Sequence, residues 1–437
     1  MLLIRHPTVA SALLCALALA CRPTPAPPPS PQPEPADTLA AIAADRISAN
    51  IQSLHLVRSF PRPTIIDPHF ASGDSTSPGY STVVGYVHAG DAAIWTGHYL
   101  AAEAFRYAVT KSPDALANAR RALTGIEGLV DVTTPAQPGL LARFLWPDNW
   151  EYAERMAVVE GGHGVYRGAP GGVPHRWLGN TSRDQYSGVF FGLGVAFDLI
   201  EQPDVRSRIT NLVTRMLDLL VRNAWNVPMP NGSFSTTFLQ RPEQQLSFLQ
   251  VGRRVNAARF NAIYQATRTT YARAVSVPIA IDCLDRHRSY YKFNLNHINL
   301  YNLIRLEEPG AARTAYMNAF HALRSCTNNH ENAHFNLVER ALEGPDAARD
   351  RDTRRYLRLW LERPSRDYYV DLRSKYAECG ANRACNAVPV DERPNTDFLW
   401  QRSPFQLFGG VDGTVETAAI DYLLSYWMAR YYGVLAG

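Results

Sequence analysis

The stretch that decides the fold runs from Asp91 to Leu129, DAAIWTGHYLAAEAFRYAVTKSPDALANARRALTGIEGL. Its first half is rich in Ala, Gly and aromatic residues with few charges, and Asp91 stands where a helix cap belongs. Ser112-Pro113-Asp114 then starts a second helix whose apolar positions recur at helical spacing, with the charged Arg120 and Arg121 between them. A helix that is apolar all round is buried, and one with a single apolar stripe lies outside it. The stretch therefore predicts an inner helix followed tightly by an outer one.

The same rhythm returns along the chain. TSRDQYSGVFFGLGVAFDLI, capped by Thr181 or Ser182, is followed by the amphipathic DVRSRITNLVTRMLDLLVRNAW after Gln202-Pro203. Further pairs are expected over 244–271, over 288–306 with 310–326, and over 328–342 with 350–361. A first helix over 37–60 and a last one in ETAAIDYLLSYWMARYYGVL close the series. The segment from Thr133 to Asn180, rich in Trp, Gly and Pro, reads as a long loop. Alternating runs that would mark strands are few, so the class is all-α. Irregular loop lengths argue against an open solenoid, which leaves an α/α toroid of inner and outer helices in one large domain over 37–437.

The Asp91–Leu129 hairpin resembles those of the six-hairpin glycosidase-like superfamily, whose members hydrolyse or eliminate glycosidic bonds in polysaccharides. The resemblance implies about six inner helices, with the site at their N-terminal ends. It also implies a polysaccharide or oligosaccharide substrate.

Residues 1–20 have the form of a signal peptide: Arg5 and His6, then an apolar run from Val9 to Ala20, too short to span a bilayer. Ala18-Leu19-Ala20-Cys21 resembles a bacterial lipobox, which makes Cys21 the expected lipidation site. The proline-rich residues 21–36 are an extended tether. With Arg22 behind the cysteine, the expected place is the cell envelope, anchored by lipid and sorted to the outer membrane. Four further cysteines suit an oxidising compartment: Cys379 and Cys385, close in sequence, are expected to form a disulfide, while Cys283 and Cys326 need a fold to meet. Net charge is +4, and Lys111, Lys292 and Lys375 are the only lysines among 44 basic residues. Nothing in that pattern points to nucleic acid.

Glycoside hydrolysis needs two carboxyl groups across the scissile bond. Asp91 and Asp184 occupy equivalent places at the starts of two inner helices and are the leading pair, although first-turn acids also serve as caps. Glu416, at the head of the last expected helix, is a third. Sugar sites combine aromatic platforms with polar donors; Trp95, His98, His163, Trp177, Arg183, Gln185, His297 and Asn329 fit, as do Trp146 and Trp150. In YYKFNLNHINLYNLIRLE, the amides Asn294, Asn296, Asn299 and Asn302 either brace inner helices or line a cleft.

His330-Glu331-Asn332-Ala333-His334 spells H-E-x-x-H, which on a helix holds zinc through two histidines with the glutamate as base. Zinc is expected only in that alternative, a metallopeptidase with His330 and His334 as ligands; otherwise no cofactor is. Read with Asn328 and Asn329, the same letters resemble a uronate lyase, with His330 removing a proton and Arg366, Tyr368 or Tyr369 as partners. A non-catalytic glycan-binding lipoprotein is the remaining alternative.

Overall fold

The computed structural model describes residues 35–285, 287, 290–380, 382–394 and 398–436. The signal peptide, Cys21 and all but the last residues of the tether lie outside the described residues.

The helices are α1 (Pro35–Asn50), α2 (Ala92–Thr110), α3 (Pro113–Asp131), α4 (Ala153–Val159), α5 (Arg183–Leu199), α6 (Pro203–Arg222) and α7 (Pro242–Val255). They continue with α8 (Ala257–Tyr271), α9 (Ser276–Leu284), α10 (Tyr291–Arg305), α11 (Ala311–Thr327), α12 (Ala333–Glu343), α13 (Ala347–Trp360) and α14 (Ile420–Tyr431). The strands are β1 (Asp67–Phe70), β2 (Val83–Val87), β3 (Leu145–Pro147), β4 (Val165–Gly168), β5 (His175–Leu178), β6 (Asn226–Pro228), β7 (Phe234–Thr237), β8 (Arg366–Asp371) and β9 (Phe408–Glu416).

With 59% helix and 12% strand, the chain is mostly helical but not all-α. The strands correct the expectation of plain loops. β3, β5 and β4 form an antiparallel sheet inside the 133–180 segment, and β6 and β7 form a hairpin. β1, from the start of the domain, pairs with β9 near its end in the order β2-β1-β9-β8. Glu416 ends β9 instead of opening a helix; α14 begins at Ile420.

The local starts and stops follow the residues. Ser112 accepts from the Asp114 N–H at 3.2 Å with Pro113 at the first helical position, so α3 begins there. Lys111 takes left-handed backbone (φ 53°) and ends α2. Along α2 every residue from Ala92 to Phe105 is buried, whereas α6 buries one stripe through Val205, Ile209, Leu212 and Met216, as the inner and outer patterns require.

The buried helices touch one another in sequence: α2 packs on α5, α5 on α7, α7 on α10, α10 on α12, α12 on α14, and α14 again on α2. α3 and α6 lie against α2 and α5 respectively, α8 against α7, α11 against α10, and α13 against α12. The amide-rich α10 also braces α5 directly. Asn299 Nδ2 donates to Ser187 Oγ at 3.0 Å and Asn302 Nδ2 to the Phe190 carbonyl at 3.3 Å.

α2 and α5 approach each other closely at glycines. A Cβ at Gly97 would lie 2.2 Å from the Gly188 carbonyl oxygen, and one at Gly192 would lie 2.1 Å from that of Gly97. Only glycine lets two backbones meet this closely, and the contact draws the first turns of α2 and α5 together. Two disulfides add covalent ties: Cys283–Cys326 joins α9 to α11, and Cys379–Cys385 closes a short loop, as expected.

Candidate active site

Asp91 precedes α2, yet its side chain makes no capping bond. Gln185 of α5 does that work: its Oε1 accepts from the Ile94 N–H at 3.0 Å, and its Nε2 donates to Asp91 Oδ1 at 3.0 Å. A side chain from one helix thus satisfies an orphan N–H of the next and holds the Asp91 carboxylate away from the capping role. Gln401 Nε2 donates to the other oxygen, Asp91 Oδ2, at 3.3 Å.

Arg143 ties this carboxylate to the second one. Its Nη1 lies 3.6 Å from Asp91 Oδ1 and donates to the Gly90 carbonyl at 2.7 Å; its Nε donates to the Asn180 carbonyl at 2.9 Å, and its Nη2 to Ser182 Oγ at 2.6 Å. The Ser182 hydroxyl in turn donates to Asp184 Oδ1. Ser182, which precedes α5, does not cap it. One guanidinium therefore links Asp91 to Asp184 through a single hydroxyl, with the fixed fork that arginine provides.

Two hollows open here. The larger, about 380 Å³, is lined by Asp91, Trp95, Arg143, Asp184, Tyr291 and Asn294, with Gln401 and Arg402 at one side. The smaller, about 280 Å³, shares Asp91, Trp95 and Gln401 and adds Asp67, His88, Glu160, His163 and Phe398. Trp95 is the common wall. Its ring packs on Phe398 with centroids 4.3 Å apart and on His98 at 5.3 Å, and His98 packs on Trp400 at 4.9 Å.

Four titratable groups at the hollows are shifted by their surroundings. Burial pushes the buried His98 down to about 4, against bonds to the Ile94 carbonyl and Asn294, so its ring is neutral at pH 7. Burial and Arg143 lower His163, while Glu160, 3.6 Å away, and Asp184 pull in the opposite direction. Burial, then Asp184 and Asp91, raise the Tyr291 hydroxyl. Asp67 would be raised by burial, but bonds from His55 and His88 (2.9 Å) outweigh it and hold the carboxyl below its usual range.

Of the residues expected from sequence, Asp91, Asp184, Trp95 and His163 line the hollows, and Gln185 and His98 stand directly behind them. The others lie elsewhere. Trp177 is buried in β5 and stacks on Tyr166 at 4.7 Å, so it is a core residue and not a platform. Arg183 donates to the Thr237 carbonyl. His297 is buried with its ring 3.8 Å from Phe335, and Asn329 is exposed in the turn before α12. Trp146 is buried against Phe144, and Trp150 against Phe60. Glu416 accepts from Asn50 and Arg366 and lines a separate cavity with Arg46, Arg58 and Arg363.

The H-E-x-x-H letters do not form one helical face. Asn332 accepts from the Phe335 N–H at 3.3 Å and caps α12, which begins only at Ala333. Glu331 sits before it in left-handed backbone (φ 48°) and pairs with Arg355 at 3.1 Å. His330 is therefore off the helix that carries His334. It is buried among Tyr290, Phe293 and Phe405, while its carbonyl accepts from Arg393. Among the described residues no group of three or more His, Cys, Asp or Glu is arranged to hold a metal ion. Two of the three lyase partners are engaged elsewhere: Arg366 lies over the Phe70 and Tyr80 rings and donates to the Tyr80 carbonyl, and Tyr368 donates to the Gly73 carbonyl, while Tyr369 is exposed on β8.

Sequence reasoning missed Arg143, Tyr291, Gln401 and Glu160. Arg143 and Glu160 lie in the segment read as a loop, and Gln401 follows irregular chain. Only Tyr291, at the head of an expected inner helix, carried a positional signal. The sequence matches no protein-family model and no curated protein.

Proposed function

We propose that this chain is a glycoside hydrolase of the cell envelope, built as an α/α toroid, with Asp91 and Asp184 as its paired carboxyl groups. The observation that carries the proposal is that both aspartates, neither of them capping its helix, line one hollow beside Trp95. Asp91 is met by donors from Gln185, Gln401 and Arg143, a set that suits a carboxylate acting as base or nucleophile. Asp184 supplies the second carboxyl. Trp95 offers an apolar face to a sugar ring, and Gln401, Tyr291 and Arg402 offer polar contacts to its hydroxyls. The cycle of contacts from α2 through α14 supports the toroid, and the small sheets sit at the segments that lead into it. On this reading Cys21 is the lipid anchor.

A panel of neutral, amino and uronate polysaccharides tests the activity, read both for new reducing ends and for the ultraviolet absorbance of unsaturated uronates. The hydrolase predicts new reducing ends without that absorbance, lost in Asp91→Asn and Asp184→Asn. Absorbance growth would make the chain a lyase. Zinc-dependent peptide cleavage would replace the reading altogether.

A further inference from the structure

The cavity lined by Arg46, Arg58 and Arg363 holds about 780 Å³, a size that suits a small ligand. It is built from α1, the end of α13 with the residues after it, and the turn from β9 into α14. Thr417 lines both this cavity and the smaller hollow beside Asp91, so the two meet at one residue.

Its charged lining is three guanidiniums and two carboxylates, Glu416 and Asp421. Both carboxylates already have their donors. Asp421 accepts from the Leu399 N–H at 3.0 Å, from Trp360 Nε1 at 3.1 Å and from the Tyr422 N–H at 3.0 Å, and Glu416 accepts from Asn50 and Arg366. Arg363 is buried and donates to the Val390 carbonyl at 2.8 Å. Arg46 and Arg58 differ: both are exposed, and neither has a hydrogen bond or ion pair to any described residue. Two guanidiniums with open donors therefore line one cavity whose acids are spoken for, an arrangement complementary to a carboxylate or sulfate. Trp360 lines the same cavity half-buried, its ring 4.8 Å from that of Tyr422 and its N–H held by Asp421, which fixes an aromatic surface beside the arginines.

We propose that this cavity is a subsite for an acidic sugar unit: Arg46 and Arg58 take its carboxylate or sulfate group, and Trp360 takes the face of its ring. Because the cavity meets the smaller hollow at Thr417, the acidic unit belongs to the same glycan chain that lies over Trp95. That continuity rests on the hydrolase reading; the charge preference of the cavity does not. The substrate class is then a polysaccharide carrying uronate or sulfated units, held by its charge at a distance from the paired carboxyl groups.

Calorimetric titration of the full chain tests this, with tetragalacturonate and its methyl ester, a sulfated tetrasaccharide and its desulfated form, and inorganic sulfate alone. At least one acidic tetrasaccharide is expected to bind about tenfold or more tighter than its neutral counterpart, and to bind less tightly as salt is raised. Arg46→Gln and Arg58→Gln, both at exposed positions, should each weaken that binding about tenfold and leave the neutral form's binding as it is. Arg351→Gln, exposed on α13 outside the cavity, should change neither. Acidic and neutral forms binding alike, binding indifferent to both cavity arginines, an equal loss in Arg351→Gln, or no binding by any of the glycans would overturn the proposal. Inorganic sulfate binding as tightly as the acidic glycan would make the cavity a site for a free anion and overturn its assignment to a sugar. Arginine-dependent binding of an acidic glycan without cleavage of any glycan would leave the acidic-sugar site assigned and remove the hydrolase.

Discussion

The first turns of α2 and α5 and the turn that leads into α12 carry similar chemistry in sequence, acids beside histidines and aromatics, and fold into opposite situations. At α2 and α5 the glycines Gly97, Gly188 and Gly192 bring two backbones into contact, Gln185 relieves Asp91 of capping, and the carboxylates face an open hollow. At α12 the cap is Asn332 itself, the chain before it turns away, and His330 and His334 are packed among Tyr290, Phe405 and Trp400. The difference teaches that who caps the helix decides which side chains are left for chemistry. A cap supplied from a neighbouring helix releases the local acid; a cap supplied locally buries the motif around it.

The largest effect expected from this contrast is on activity. Asp91→Asn or Asp184→Asn should reduce glycan hydrolysis by about 10²–10⁴-fold with the fold intact, the range that acid–base groups contribute. His334→Phe, whose ring lies 4.9 Å from Trp400, should leave the rate within about tenfold, a packing effect and not a chemical one. Steady-state rates on one glycan compare them directly.

Next come the two covalent ties. Replacing Cys283 and Cys326 with serine removes a cross-link between positions 43 residues apart and should cost about 4 kcal/mol, while the pair six residues apart, Cys379 and Cys385, should cost about 2 kcal/mol by loop entropy. Denaturant unfolding measures both.

Gly97→Val tests the close approach itself. Its Cβ would meet backbone at 2.2 Å, so the helices must part, with a stability loss of about 1–3 kcal/mol. Because the carboxylates depend on that approach, kcat should fall along with the melting temperature.

The smallest effect concerns Glu243, in the first turn of the neighbouring α7, which repeats the position of Asp184 but is wholly buried. Burial raises its carboxyl to about 7 even with Arg241 at 2.7 Å. The folded-state value lies above the unfolded one, so the neutral form's contribution is fully present below about pH 4.5 and is lost as pH rises toward 7. Glu243→Gln should therefore gain stability relative to the wild type across that interval, by about 1–3 kcal/mol. A flat difference between the two across pH would contradict the buried-carboxyl assignment.

Much of this was legible beforehand, for identifiable reasons. The starts of α3 and α6 are written by Ser112-Pro113 and Gln202-Pro203, and the inner character of α2 and α5 by their lack of charged faces. The pairing of Asp91 with Asp184 followed from their equivalent places in two hairpins. What stayed hidden depended on partners distant in the chain. β1 finds β9 through His69 and Val415; β1 has only four residues, and β9, with Gly409, Gly410 and Gly413, shows no apolar alternation. Arg143 gains its role only from Gly90, Asn180 and Ser182. The helix expected over 328–342 begins only at Ala333 because Glu331 takes left-handed backbone, which nothing in its side chain announces.

The most direct test of the central claim is the crystal structure of Asp91→Asn with an oligosaccharide bound, taken from the glycan that the wild type cleaves. The paired-carboxylate site predicts a sugar ring on Trp95 with the glycosidic oxygen between residue 91 and Asp184. Sugar bound instead in the cavity between Arg46, Arg58 and Arg363, with the hollow beside Trp95 left unfilled, would contradict it.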